Sequence, residues 1–199
     1  MRTPKHKKCK NKACGDKFIP ARPMQQACSI GCAIILSKDK LRAEEEVKAK
    51  AERKELKVRK EAIKTRSDWM REAQIEFNKF IRLRDQLAGH PCISSGKPLD
   101  WSGNNVDAGH YRSTGSAPHL RFDERNVHAQ SKQDNRYGAG RAVDYRIGLI
   151  ARIGLEAVEA LEADQTPRKW TIDELKAIKA EYKRKFKELK AAQTGTGKL

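Results

Sequence analysis

No part of the 199-residue chain approaches the unbroken apolar length of about 20 residues that a membrane-crossing helix needs. A secretory leader is missing as well: the opening MRTPKHKKCK is Lys-rich and no apolar segment follows it. These two absences set the expectation of a cytoplasmic protein with no membrane partner. Apolar residues are scarce: 38% of the chain is hydrophobic, 6% aromatic and 35% charged, too little for one large core running the whole length. Acidic residues are also outnumbered, 26 against 43 Lys and Arg, leaving a formal net charge of +17. Such a surface repels itself when compact and is best tolerated where a polyanion neutralises it. Nucleic acid is therefore the first-ranked partner, ahead of a merely soluble basic protein. Cysteine is sparse and odd in number, five in all, with four in the first 32 residues. In a basic intracellular chain that grouping argues for metal rather than disulfides.

Those four, Cys9, Cys14, Cys28 and Cys32, are spaced C-x4-C-x13-C-x3-C. Two close thiol pairs across a loop can bring four thiolates to one tetrahedral Zn²⁺, and a short segment can use that ion as its core. Phe18 and Ile19 are expected to pack beneath the two knuckles. Lys5, Lys7, Lys8, Lys10, Lys12 and Lys17 fit phosphate contacts, which set affinity without sequence preference. A structural zinc of this kind says nothing about catalysis.

Beyond this module of residues 1–36, residues 37–66 read as a charged helical linker or weak coiled coil. Residues 37–64 contain no Gly or Pro, and Glu44–Lys48 and Glu46–Lys50 form supporting i,i+4 pairs. Leu41, Val47, Leu56, Val58 and Ile63 are too sparse for a strong seam, so a homodimer through this helix is a secondary reading. From Ser67, the run Trp69, Ala73, Phe77, Phe80, Ile81 and Leu83 predicts a capped amphipathic helix ending before Gly89. Residues 90–137 predict a compact irregular unit with a short hairpin, within a core of residues 67–139. Residues 140–191 predict a helix interrupted near Gly154, a break at Pro167, and a last helix from Thr171. Residues 192–199 are expected to be disordered.

Two stretches carry chemistry: VDAGHY at 106–111 and RNVHAQSKQDN at 125–135. Metal-dependent phosphodiester hydrolysis needs a base for water and a divalent ion to hold the phosphate. His110 ends a strand-like segment. Asn135 lies nine residues after Asn126, on a stretch read as a helix beginning near Asn126. Asn126 would cap that helix and brace the loop behind His110.

This succession resembles the ββα-metal (HNH, His-Me finger) nuclease motif, its three marked positions reading His110, Asn126 and Asn135. More closely, CISSGKPLDW, DAGHYRS and LRFDERNVHAQSKQDN are similar to the NinG (Rap) proteins of lambda-like phages, recombination nucleases acting on branched DNA. The Cys cluster, the basic helix and NKFIRLRD extend the resemblance over nearly the whole chain. It implies a mostly helical α+β fold with a small ββα-metal core, Mg²⁺ or Mn²⁺ at the catalytic site, and recombination proteins as partners. It makes His110 the general base, Asn126 the structural asparagine and Asn135 a metal ligand. Many family members carry an acidic or His ligand just before the base, where this chain has Gly109. Asp107, one pleat away on the same face, is the substitute. His128 is a further ligand or phosphate contact, or equally a helix-surface residue. Many HNH domains also hold a zinc between two knuckles, whose positions here read Cys92, Ser95, Ser131 and Asp134. With one thiol left, no zinc is expected there, and Cys92 should be a free buried thiol in a fold held by hydrogen bonds and packing, including Trp101. Arg112, Arg121, Arg125, Lys132, Arg136 and Arg141 together form a phosphate track, though each alone reads as a solvated charge. Tyr111 and Tyr137 either stack on bases or pack; His90 reads as structural, and His119, in a loop after Pro118, as structural or DNA-facing. The competing function is a non-catalytic zinc-containing nucleic-acid-binding protein with a decayed HNH motif.

Overall fold

The computed structural model describes residues 5–136 and 141–195, so Tyr137 and residues 196–199 of the expected tail lie outside the described residues. The chain divides into two compact units, residues 1–63 and 64–199. In the first, strands β1 (Lys7–Lys8) and β2 (Lys17–Phe18) pair antiparallel with Lys7 opposite Phe18. Helix α1 (Ile30–Ala62) follows, so Cys32 sits in its first turn. Ser29 caps it: the Cys32 amide donates to Ser29 Oγ at 3.2 Å. No side chain of α1 is buried, as the sparse apolar spacing implies. Ile19 is 53% exposed and does not pack beneath the knuckles, whereas Phe18 is half-buried.

The second unit opens with α2 (Arg66–Leu87). Its cap is Thr65, two residues before the expected Ser67: Thr65 Oγ1 accepts from the Asp68 amide and the Asp68 carboxylate accepts from the Thr65 amide. Trp69, Ala73, Phe77, Phe80 and Ile81 bury one face of α2. Strands β3 (Val106–His110) and β4 (Val127–Ser131) form an antiparallel hairpin with Asp107 opposite Gln130, Gly109 opposite His128 and His110 opposite Val127. Helices α3 (Lys132–Arg136), α4 (Ala142–Ile153), α5 (Leu155–Ala163) and α6 (Ile172–Gly195) complete the unit. Gly154, at φ 86°, makes the α4–α5 break. Residues 192–195 continue α6 rather than forming the expected tail.

The hairpin is held between two apolar clusters. In one, Ala108 and Val127 pack with α2 and α6, and Phe77 meets Tyr182 and Phe122 edge-on at 4.7 and 5.6 Å. In the other, Ile93, Ala117 and Leu120 pack with Tyr145, Leu149, Val158 and Leu161 of α4 and α5. The α4 backbone comes so close to Ile93 that a Cβ at Gly148 would lie 1.9 Å from the Ile93 carbonyl oxygen. The described residues form a mostly helical α+β protein with two small antiparallel sheets. None of the described helices is long and apolar enough to cross a membrane.

Candidate functional site

The site is built where β3 ends and β4 begins. Asn126 does not cap a helix: it stands immediately before β4, and the helix carrying Asn135 starts only at Lys132. The reason is pairing, since Val127–Ser131 are taken up by the ladder with β3. Asn126 is fully buried and staples both ends of the connecting loop. Its Oδ1 accepts from the Arg112 amide at 2.8 Å, while Nδ2 donates to the carbonyls of Arg112 at 3.0 Å and Leu120 at 3.1 Å. The Tyr111 amide donates to the Asn126 carbonyl at 2.8 Å. Asn126 thus positions the loop and has no surface for a substrate.

That loop holds His110. Its Nε2 lies 3.0 Å from the Arg121 carbonyl oxygen. A carbonyl only accepts, so in the neutral ring Nε2 carries the proton and Nδ1 is the basic nitrogen, with the Ala108 backbone a second and weaker neighbour that favours the charged form. Burial, and then the positive charge of Arg121, lower the imidazole pKa from its usual 6.5. The ring is therefore neutral at neutral pH, the state a general base needs.

On the opposite face of β3, Asn135 Nδ2 contacts Asp107 Oδ2 at 3.1 Å. The Asn135 amide nitrogen thus donates to the carboxylate, and both residues are partly exposed. A cation held by this pair would take the Asp107 carboxylate and, after rotation of the amide, the Asn135 oxygen. Gly109 shares the Asp107 face. A Cβ there would lie 2.1 Å from Gln130 Oε1, so the Gln130 amide fills the space an acidic neighbour would use. His128 is not brought to this pair. It is buried, with Nδ1 3.1 Å from Arg84 Nη2 and Nε2 3.1 Å from the Arg125 carbonyl. Burial, then the Arg84 charge, lower its pKa to about 4, which leaves a neutral imidazole with both nitrogens engaged.

The six cations read as a phosphate track separate by environment. Arg112 Nη1 donates to the Leu161 and Glu162 carbonyls at 3.2 and 2.7 Å, closing the end of α5. Arg141 pairs with Asp134 and Asp144 at 3.1 and 2.8 Å. Lys132 Nζ donates to the Asn104 carbonyl at 2.9 Å. Arg125, exposed, pairs with Asp123, and Arg136 is exposed at the end of α3. Arg121 points into a cavity described below. Tyr111 packs: its ring stacks on Tyr145 with centroids 5.7 Å apart and its hydroxyl donates to Glu162. His119 Nε2 lies 3.0 Å from the Asp164 carbonyl, a structural contact.

The positions matching the second zinc site do converge. Cys92 Sγ donates to Asp134 Oδ2 at 3.2 Å, Ser131 Oγ donates to the same oxygen at 2.8 Å, and the Ser131 amide donates to Cys92 Sγ at 3.3 Å. Burial opposes ionisation of Asp134. Hydrogen bonds from Ser131, Ser95, Cys92 and Arg141 outweigh it and hold the carboxyl well below the usual range. These residues form a hydrogen-bonded carboxylate network, and Cys92 is a free, buried thiol. Trp101 is half-buried and belongs to neither apolar cluster.

In the first unit the Sγ atoms of Cys9, Cys14, Cys28 and Cys32 all lie within 4.8 Å of one another. Cys14–Cys28 and Cys28–Cys32 are 3.5 and 3.7 Å apart, near the roughly 3.8 Å edge of a tetrahedron with Zn–S of about 2.3 Å. Asn11 Nδ2 donates to Cys32 Sγ at 3.2 Å and the Cys28 amide to Cys9 Sγ at 3.5 Å. Asn11, then Ser29, lower the Cys32 pKa to about 7, while Cys14 and Cys28, sharing hydrogen bonds with their neighbours in the cluster, are raised.

Sequence reading misses the support behind the hairpin. Asp85, fully buried, accepts the Ala129 amide at 2.6 Å and pairs with Arg84 at 2.8 Å. The Tyr145 hydroxyl donates to the Gly109 carbonyl at 2.8 Å and accepts from the His128 amide at 3.1 Å. An Asp inside an amphipathic helix was the only local signal.

Compared with known proteins, the chain matches the family model described as Bacteriophage Lambda NinG protein over residues 1–192. It is 42% identical to Protein ninG of Escherichia phage lambda over 207 aligned positions, covering 98% of each chain. It is likewise 42% identical to Protein ninG of Salmonella phage P22, over 94% of this chain and 96% of that one. Protein ninG of Escherichia phage 933W matches at 42% over 98% of each chain. No solved structure matches the chain.

Proposed function

Because the chain belongs to the bacteriophage lambda NinG family, we propose that it is a metal-dependent, structure-selective DNA endonuclease acting on branched recombination intermediates such as Holliday junctions and D-loops. The observation that carries this reading is the neutral His110 imidazole, its Nε2–H fixed on the Arg121 carbonyl and its loop stapled by Asn126. In this reading Nδ1 of His110 takes the proton of an attacking water. The imidazolium that forms keeps its bond to the Arg121 carbonyl. Asp107 and Asn135 would hold a Mg²⁺ or Mn²⁺ ion that supplies positive charge to the phosphate. Because they lie on the face of β3 opposite His110, sharing that phosphate requires the substrate to pass around the end of the strand. Arg121, Arg125, Lys132 and Arg136 are the cations best placed to meet the backbone, and cleavage leaves a 5′-phosphate and a 3′-hydroxyl. Zn²⁺ on the four N-terminal thiols is structural. The preference for branched DNA, and recombination proteins as partners, rest on the family resemblance.

Nicking of Holliday junctions, D-loops and linear duplex in the presence of Mg²⁺ or Mn²⁺ tests the proposal. The parent should cut branched substrates, and His110→Ala should lose about 100-fold or more of the rate. Equal cutting by parent and variant removes His110 from the chemistry.

One observation favours a second reading, a non-catalytic zinc-containing nucleic-acid-binding protein: Gln130 occupies the space where an acidic ligand would stand at position 109. Under that reading zinc is the only metal bound, and no weaker Mn²⁺ site is found near Asn135. A homodimer through α1 would set two sites on the arms of a junction. Equilibrium sedimentation of a chain lacking residues 37–64 tests this, since an unchanged mass removes the idea.

A further inference from the structure

One cavity of the second unit gathers cations and no carboxylate. It has a volume of about 430 Å³, and its walls include Arg66 from the first turn of α2, Arg121 behind the hairpin loop, and Arg168, Lys169 and Trp170 before α6. Trp170 is fixed by its Nε1 donating to the Pro118 carbonyl at 2.9 Å and by edge contact with Phe122 at 5.2 Å. Arg168 lies over the Trp170 ring at 4.3 Å and pairs with Glu174 at 2.8 Å. Arg66 and Lys169 are exposed.

Arg121 is the informative member. Its Nη1 reaches an amide oxygen of Gln74 at 3.2 Å and its Nη2 the Thr114 carbonyl at 3.5 Å, while Nε is buried without a partner. Arg112, also partly buried, is met by three carbonyls and the Gln165 amide oxygen, whereas Arg84, Arg146 and Arg152 have carboxylates, those of Asp85, Glu162 and Asp85. Arg121 has none, and burial alone lowers its pKa. A guanidinium desolvated without a counter-charge is costly to keep, and an anion supplied from outside offsets that cost. A planar fork of donors beside two further cations matches the two unesterified oxygens of a phosphodiester, and neighbouring phosphates of the same strand supply charge to the remaining cations.

We propose that this cavity binds a backbone phosphate of a nucleic-acid strand, with Arg66, Arg121 and Lys169 as its donors. Arg121 would then join the two places, since its carbonyl receives His110 Nε2–H while its guanidinium receives the anchored phosphate. The docking step needs no catalysis; only the link to His110 rests on the nuclease reading.

The test uses the full chain with no divalent ion added, a fluorescent oligothymidylate, and titrations at several KCl concentrations. Arg66→Gln with Lys169→Gln, both exposed and so compatible with folding, should weaken binding about tenfold. The slope of log affinity against log salt should fall by about 1.4, or about 0.7 per lost contact on a single strand. Lys183→Gln with Lys187→Gln, exposed on α6, should change both much less. The Arg121 Nε–H resonance should shift on adding the oligonucleotide, and Arg121→Gln should reproduce the weaker binding. Parent-like affinity and slope in the Arg66/Lys169 variant overturn the proposal. So does an Nε–H resonance that moves with inorganic phosphate but not with the oligonucleotide. Nicking and metal-free binding are read separately on the same variants, so a failure of the nuclease reading shows in nicking and a failure of the cavity shows in binding.

Discussion

His110 carries an imidazole whose nitrogens are made unequal by one carbonyl. Because burial holds its pKa below 6.5, the basic form is already complete at neutral pH. The cutting rate should therefore be flat above pH 6.5 and fall only below it, through the lowered pKa, as measured by single-turnover nicking in a constant-ionic-strength buffer series. Asn126 makes three side-chain hydrogen bonds with no exposure. Asn126→Ala leaves the three backbone groups of Arg112 and Leu120 unpaired, and urea unfolding should show a loss of about 3 kcal/mol or more. Asn126→Asp should do no better, since a carboxylate cannot donate to the two carbonyls. His128 makes a different statement. Its folded pKa of about 4 lies below the unfolded 6.5, so the unfolded chain takes up the proton first. Above pH 6.5 this group has no effect. As pH falls from 6.5 to about 4 it removes stability, on the order of 3 kcal/mol in full. His128→Asn should show a smaller drop in Tm over that window than the parent.

Elements made of regular periodicity are legible in the sequence, and elements made by pairing are not. The buried face of α2 and the break at Gly154 follow from apolar spacing and one glycine. The Thr65 cap was readable too, since Thr65 stands three before Asp68, but Ser67 competed as a cap residue. β4 was read as helix because VHAQS is short, with one β-branched residue, and fits either period. Only its partner β3 decides the matter. The Arg84–His128 contact spans 44 residues and leaves no local trace. At this scale the hairpin itself gives a test. A Cβ at position 109 meets Gln130 Oε1 at 2.1 Å, so Gly109→Ala should destabilise the unit by about 1–3 kcal/mol. Gln130→Ala should recover most of that loss in the double variant, a coupling a double-mutant cycle will read. Equal and additive losses would mean that Gln130 does not occupy that space.

At the scale of the whole molecule, the candidate metal ligands are divided between the two units. The four thiols belong to residues 1–63, whereas the hairpin, Asp107 and Asn135 belong to residues 64–199. Elemental analysis should find one tightly held zinc per chain. A strong chelator should expose the backbone amides of residues 5–28 to hydrogen exchange. Those of α2 and β4 should stay protected, because that unit is held by its apolar clusters and by the hydrogen bonds at Asp134. The charge of +17 makes DNA affinity fall steeply with salt in any reading, so it does not separate an enzyme from a binding protein.

What separates them is whether His110 and Asn135 share one ion. The direct measurement is paramagnetic broadening by Mn²⁺ in a zinc-loaded chain. At substoichiometric Mn²⁺ the Asn135 side-chain amide and the His110 ring protons should broaden together, and Asp107→Ala should weaken both effects. If Mn²⁺ leaves both residues sharp, or broadens Asn135 alone, the two groups do not meet around a cation and the nuclease reading is contradicted.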